Sequence, residues 1–205
     1  SLWSGHEGSW ILWTLISVCY AFCMISDMRS QPEKGNFNST QISLMLAFYC
    51  VYSLFASNPF VQIFPIAPGD GMDANPLLQD IALLIHPPCL YMGNCGLLVV
   101  YGLSLNLLKS ERKEFDMILY ELISSWSLWS WGWLTVGMTI GSWWAYRELG
   151  WGGFWFWDPV ENASLMPWLC TSALLHAVKI RGDEKKMWVC CTGFSTFILA
   201  LFGSF

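Results

Sequence analysis

Long uninterrupted apolar blocks, separated by brief polar ones, constrain this chain more than any other feature of its sequence. Six blocks, near residues 9–26, 41–57, 88–108, 122–146, 163–180 and 187–205, are long enough to cross about 30 Å of hydrocarbon at 1.5 Å per helical residue. A soluble amphipathic helix would gather its apolar residues in groups of three or four. Strands of a membrane barrel would alternate polar and apolar residues over about ten positions, so continuous blocks predict helices. The expected fold is all-α, a polytopic transmembrane helical bundle of about six spans, with residues 1–205 forming a single transmembrane domain. Composition agrees, since 55% of residues are hydrophobic, 12% are charged and the mean hydropathy is +0.44. An average soluble domain carries about 25% charged residues.

Charge placement orients the bundle. Arg29 and Lys34 follow the first block, Lys109, Arg112 and Lys113 the third, and Lys179, Arg181, Lys185 and Lys186 the fifth. The connection 58–87 contains no Lys or Arg, and 147–162 contains only Arg147. Nine of the ten cations therefore fall on one side, which the positive-inside rule assigns to the cytoplasm or organelle matrix. Residues 1–8, 58–87 and 147–162 then share the opposite face. Its connections are long and rich in Pro, Gly, Asp and Trp, so function is expected there. The net charge of −5 gives no basic patch, and nucleic acid is not an expected partner.

Eight cysteines, at 19, 23, 50, 89, 95, 170, 190 and 191, fall mostly inside apolar blocks and form no CxxC pair. They read as small buried apolar residues in preference to disulfides or thiolate metal ligands. No charged n-region precedes an apolar core at the start, so no secretory signal peptide is expected.

The most distinctive segment runs Trp151-Gly152-Gly153-Phe154-Trp155-Phe156-Trp157-Asp158-Pro159-Val160-Glu161-Asn162 and continues to Trp168. Asp158 suits a helix N-cap, Pro159 the first helical position, and Glu161 the far member of a capping box. The aromatics admit two readings. One is an interfacial belt of amphipathic rings. The other is a shelf for a flat apolar ligand, with Gly152 and Gly153 allowing close backbone approach.

This segment resembles the tryptophan-rich WWD signature, here 151–168, of a haem-handling superfamily, in the version found in CcmF-type cytochrome c haem lyases. Further similarity lies in Gly5-His6-Glu7-Gly8-Ser9, Ser57-Asn58-Pro59-Phe60, Asn75-Pro76-Leu77-Leu78-Gln79-Asp80, His86-Pro87-Pro88-Cys89-Leu90-Tyr91-Met92-Gly93 and Gly141-Ser142-Trp143-Trp144-Ala145-Tyr146. It covers nearly the whole chain and is weakest at 27–45 and 109–130.

The resemblance implies that His86 is an axial ligand of a haem b lying over Trp143, Trp144, Trp151, Gly152, Gly153, Trp155, Trp157 and Asp158. It also implies a second, resident haem b on His176. Read on its own, His86 is a residue at the start of a helix held by two prolines, and His176 a core histidine about 20 Å deeper than Asn162. His6 reads as a satisfied loop histidine. Arg147 admits either a haem propionate partner or an interfacial snorkelling role. No catalytic side chain is assigned, because the bond chemistry belongs to haem and thiol.

The family places two axial histidines on each haem, and no histidine follows His176. The remaining CcmF helices or a split subunit are expected to provide the second ligands. The implied function is cytochrome c maturation, with the chain as a haem lyase component holding haem for covalent attachment to apocytochrome c. Implied partners are apocytochrome c, the haem chaperone CcmE, a CcmH-like thiol subunit and the lipid membrane. The alternative is a non-catalytic haem-binding or structural subunit of a respiratory membrane assembly. Haem export lacks support, as no P-loop is present. Residue usage rich in Ser, Phe, Tyr and Cys suggests an organellar gene and the mitochondrial inner membrane, with a bacterial cytoplasmic membrane as the alternative.

Overall fold

The computed structural model describes residues 5–30, 37–58, 60–61, 79–150 and 153–203. The expected spans appear as α-helices, namely α1 (His6–Ser30), α2 (Thr40–Phe55), α3 (Ile81–Lys109), α4 (Lys113–Glu148), α5 (Pro159–Ala177) and α6 (Lys185–Phe202). By length and composition α1, α3 and α6 are apolar enough to cross a membrane, and α2 is a shorter apolar helix. Side-chain contacts fix the relative directions of the helices around α3. Tyr101 stacks on Phe197 while Ser104 meets Cys190 and Gly193, so α3 and α6 are antiparallel. Trp13 meets Tyr91 while Tyr20 lies by Gly96, so α1 and α3 are parallel.

Three helices, α1, α3 and α4, extend beyond their apolar blocks at both ends. The helix expected at 88–108 begins at Ile81, because the Asp80 side chain caps it by accepting from the Ala82 amide at 2.7 Å. The one expected at 122–146 starts at Lys113, where Glu114 and Asp116 in the first turn suit the positive end of the helix dipole. The one expected at 9–26 runs from His6 to Ser30, with Glu7 in its first turn and Arg29 in its last.

Helix α3 is the hub. Every residue from Cys95 to Val100 is buried, which means that all sides of this stretch are covered by protein. Leu97, Val99, Val100 and Leu103 join Leu119, Ile123 and Leu134 of α4 in one core, and Cys95 and Leu98 join Trp10, Trp13 and Tyr49 in a second. Asn106 ties the segment ahead of α2 to this hub. Its Oδ1 accepts from the Asn38 amide at 2.7 Å, and its Nδ2 donates to the Asn38 carbonyl at 3.0 Å.

The α3–α4 contact interlocks. A Cβ built on Gly93 would meet the Leu134 backbone nitrogen at 2.9 Å, and one on Gly96 would strike the Ser130 hydroxyl. In return Leu90 sits over Gly137, its Cγ 2.9 Å from where a Cβ would stand, and the His86 ring lies against Gly141. Two side chains from each helix thus fill glycine gaps in the other, a form of close approach suited to bilayers, where lipid competes with apolar contacts.

The expectation of buried cysteines needs correction. Cys89, Cys95 and Cys190 are buried, but Cys19, Cys23, Cys50 and Cys191 lie on the outer surface. There they accompany Leu15, Phe22, Leu44 and Phe48, as a bilayer solvates a small apolar thiol as readily as a core does. Replacing Gly93 with Val is expected to separate α3 from α4 and destabilise the protein by about 1–3 kcal/mol, read as a lowered thermal midpoint in detergent.

Candidate functional site

The residues singled out in the tryptophan segment lie where α4 ends and α5 begins. Asp158 is the N-cap of α5, with its Oδ1 accepting from the Glu161 amide at 2.6 Å, and Pro159 takes the first helical position. Glu161 reaches back, but not to the cap residue's own amide as a capping box would have it. Its Oε2 accepts from the amides of Phe156 at 2.8 Å and Trp157 at 2.9 Å. The Asn162 side chain donates to the Trp157 carbonyl at 3.0 Å.

These bonds hold Trp157 from both sides in a conformation that an aromatic residue rarely adopts, with φ of 64°. A positive φ on a bulky side chain is a local strain that persists only where neighbours impose it. The outcome is an indole 69% exposed, set edge-on to Trp155 at 6.2 Å between ring centres. Phe154 and Phe156 are exposed beside it, and Gly153 has no close neighbour beyond the Trp155 carbonyl among the described residues. Trp151 and Gly152 lie outside the described residues, as does most of the 58–87 connection. Trp155 is partly buried and borders a cavity of about 230 Å³ with Phe154, Met138, Ser142 and Trp168. Its Nε1 is buried and has no hydrogen-bond partner among the described residues, as is true of Trp144.

His86 lies at the same end of the bundle, in the second turn of α3. It is not a residue at the start of a helix held by prolines, since α3 begins five residues earlier and continues through Pro87 and Pro88. The Nδ1 of His86 donates to the Gly137 carbonyl at 2.7 Å. A carbonyl only accepts, so the proton is on Nδ1 and the Nε2 lone pair is available. Backbone-anchored imidazoles of this kind make good iron ligands, because the bond from the second nitrogen fixes both tautomer and ring plane.

His176 sits in the last turn of α5, at the opposite, Lys-rich end. Its imidazole is exposed and makes no hydrogen bond among the described residues, unlike the bonded core histidine that the residue suggests when read alone. His6 differs from both, as its Nε2 accepts from Trp10 Nε1 at 3.1 Å and its Nδ1 meets the Ser57 hydroxyl at 3.0 Å. Both ring nitrogens are thus occupied.

The end of α4 adds Trp143, exposed, and Trp144, partly buried. Arg147 stacks on Trp143 with its guanidinium 4.4 Å from the ring centre, pairs with Asp80 and donates from Nε to Glu148 at 2.8 Å. It has acidic partners of its own in Asp80 and Glu148. Three contributors to this end were missed as such in the sequence: Gly137, which anchors the histidine, Gly141, which admits its ring, and Asp80. The Gly137-x-x-x-Gly141 spacing was the available signal for the first two.

Residues 3–205 match the family described as cytochrome C assembly protein. The chain is 44% identical to the cytochrome c-type biogenesis protein CycK of Rhizobium meliloti over 208 residues, which cover 100% of this chain and 30% of that protein. It is 40% identical to the cytochrome c-type biogenesis protein CcmF of Pseudomonas aeruginosa, covering 100% of this chain and 31% of that one. A solved structure, "Cytochrome c Heme Lyase CcmF", is similar with a TM-score of 0.72 and 30% identity, over 99% of this chain and 32% of that chain. The chain thus spans about a third of the length of the relatives it matches.

Replacing Glu161 with Ala removes the acceptor that holds the Phe156 and Trp157 amides, a loss of about 1 kcal/mol per bond. Those amides are expected to exchange with solvent about fivefold faster, by hydrogen-exchange mass spectrometry. Unchanged exchange would show that the carboxylate does not maintain the loop.

Proposed function

The chain belongs to the cytochrome c assembly protein family, and we propose that it presents haem, gripped from His86 and carried on the tryptophan ledge, for covalent attachment to apocytochrome c. One observation carries this reading. The Nδ1 bond of His86 to a backbone carbonyl leaves Nε2 as an unused ligand atom at the end of the bundle where Trp157 is held outward. The residues fit a flat, apolar, metal-bearing ligand. Trp143, Trp155 and Trp157 offer ring surface, with Trp144, Gly153 and Asp158 beside them, and the orphaned Trp155 Nε1 offers a donor for an acidic edge group.

The chemistry asked of the protein is positional. Haem brings two vinyl groups, and each cysteine of an apocytochrome CxxCH adds its S–H across one, forming a C–S bond and placing the hydrogen on the neighbouring carbon. No net oxidation is involved. His86 fixes the iron and the ledge fixes the ring plane, so that the vinyl edge faces the incoming peptide. As a haem lyase component the chain would act with the haem chaperone CcmE, a CcmH-like thiol subunit, and helices from elsewhere that supply the second axial histidines.

His176, exposed near the Lys-rich end, suits a second haem b completed by a histidine from such a helix, with a role in keeping the substrate iron reduced. The same exposure favours the rival reading, a structural or electron-transfer subunit of a respiratory assembly that has kept its pocket. The protein is integral to a membrane. The relatives named above are bacterial, so they favour a bacterial cytoplasmic membrane, while the mitochondrial inner membrane is supported by residue usage alone.

Replacing His86 with Ala is expected to reduce holocytochrome c formation to background, with membrane levels of the protein preserved, as read by haem-stained gels of mature cytochrome c. Full maturation in that variant would refute the proposal. Purified protein that shows no haem absorbance even with its co-purifying subunits would favour the structural reading.

A further inference from the structure

The first turn and a half of α3 is the least self-supporting part of that helix. Pro87 and Pro88 have no amide hydrogen, so the carbonyls of Leu83 and Leu84 lose their partners within the helix. Residues 81–86 are therefore joined to the rest of α3 by fewer backbone bonds than an ordinary turn, and this is the segment that carries His86. It is fastened to α4 at both of its ends instead. At one end the His86 imidazole donates to the Gly137 carbonyl. At the other, Asp80 uses Oδ1 to cap the helix and Oδ2 to pair with Arg147. Arg147 is itself held by Glu148 and lies on Trp143.

We propose that Arg147 is a positioning residue, which through Asp80 locks the proline-weakened start of α3 and so sets the direction of the His86 Nε2 lone pair relative to the Trp143 side of the ledge. Arg147 touches neither His86 nor any reacting atom, and acts through the helix it latches. Its charge is already shared between two carboxylates, so a haem acid group would have to compete for it. This inference rests on His86 being an iron ligand.

The test uses the intact protein with its co-purifying subunits and haem itself as the probe. The part of the haem spectrum that depends on His86 is the difference between wild type and His86→Ala. Arg147→Gln breaks the ion pair, and Asp80→Asn breaks it while leaving an oxygen acceptor for the cap. Both are expected to weaken His86-dependent haem binding about tenfold, in the range that loss of an outer-shell partner costs a metal ligand. Both should also shift the bound iron toward high spin. Arg147→Lys should stay close to wild type, and added imidazole should return the low-spin spectrum to Arg147→Gln, an outcome that general destabilisation would not produce. Wild-type affinity and spin state in Arg147→Gln or Asp80→Asn, alongside a lost signal in His86→Ala, would overturn the latch alone. No change in His86→Ala would overturn the ligand reading and the latch with it.

Discussion

The reciprocal fit of α3 and α4 is the contact on which the rest of the architecture depends. Gly93 and Gly96 receive Leu134 and Ser130, while Gly137 and Gly141 receive Leu90 and His86. Within a bilayer there is little hydrophobic gain in bringing two helices together, so dispersion at short range and polar contacts must hold them. The fit also decides chemistry. The backbone carbonyl that accepts from His86 belongs to one of these glycines, Gly137, so the spacing that packs the helices also sets the imidazole's tautomer. Packing and ligand geometry are here one constraint and not two.

A second constraint is local and strained. Residues 156–162 form a closed circuit in which Asp158 caps α5, Glu161 holds two preceding amides and Asn162 holds the Trp157 carbonyl. The polar residues of the motif thus act on the backbone, and their product is the placement of an exposed indole. A scattered interfacial belt would not require Trp157 to be forced to positive φ. That the fold accepts the strain at this one non-glycine position, among the described residues, is the main structural argument for a ligand shelf over a belt.

Much of this was legible in the sequence. The apolar blocks located the six described helices, because a span must satisfy its backbone internally and continuous blocks do not suit the alternation of barrel strands. The cap at Asp158 was legible because capping is local, and the placement of His86 at the same end of the bundle as the tryptophan segment followed from charge asymmetry and alternation of spans. What was not legible depends on partners distant in sequence. The early start of α3 needed Asp80, whose other oxygen binds a residue on α4. The Glu161 carboxylate reaches past the cap because Trp157 turns the chain the wrong way for an L residue, which no propensity announces. Read alone, His86 belongs to a proline-bound helix start, since two prolines usually mark a boundary, and its bonding partner Gly137 of α4 lies 51 residues away in sequence.

The full enclosure of Cys95 to Val100 has a consequence for how the protein is made. During vectorial synthesis α3 reaches the bilayer before α4 and α6 exist, so for an interval the glycine notches that α4 later fills face acyl chains. Its neighbours α4 and α6 come from later in the chain. The hub of the finished bundle is therefore an intermediate with unfilled grooves, and the nascent protein is open to mispairing with other small-residue helices until α4 has been delivered.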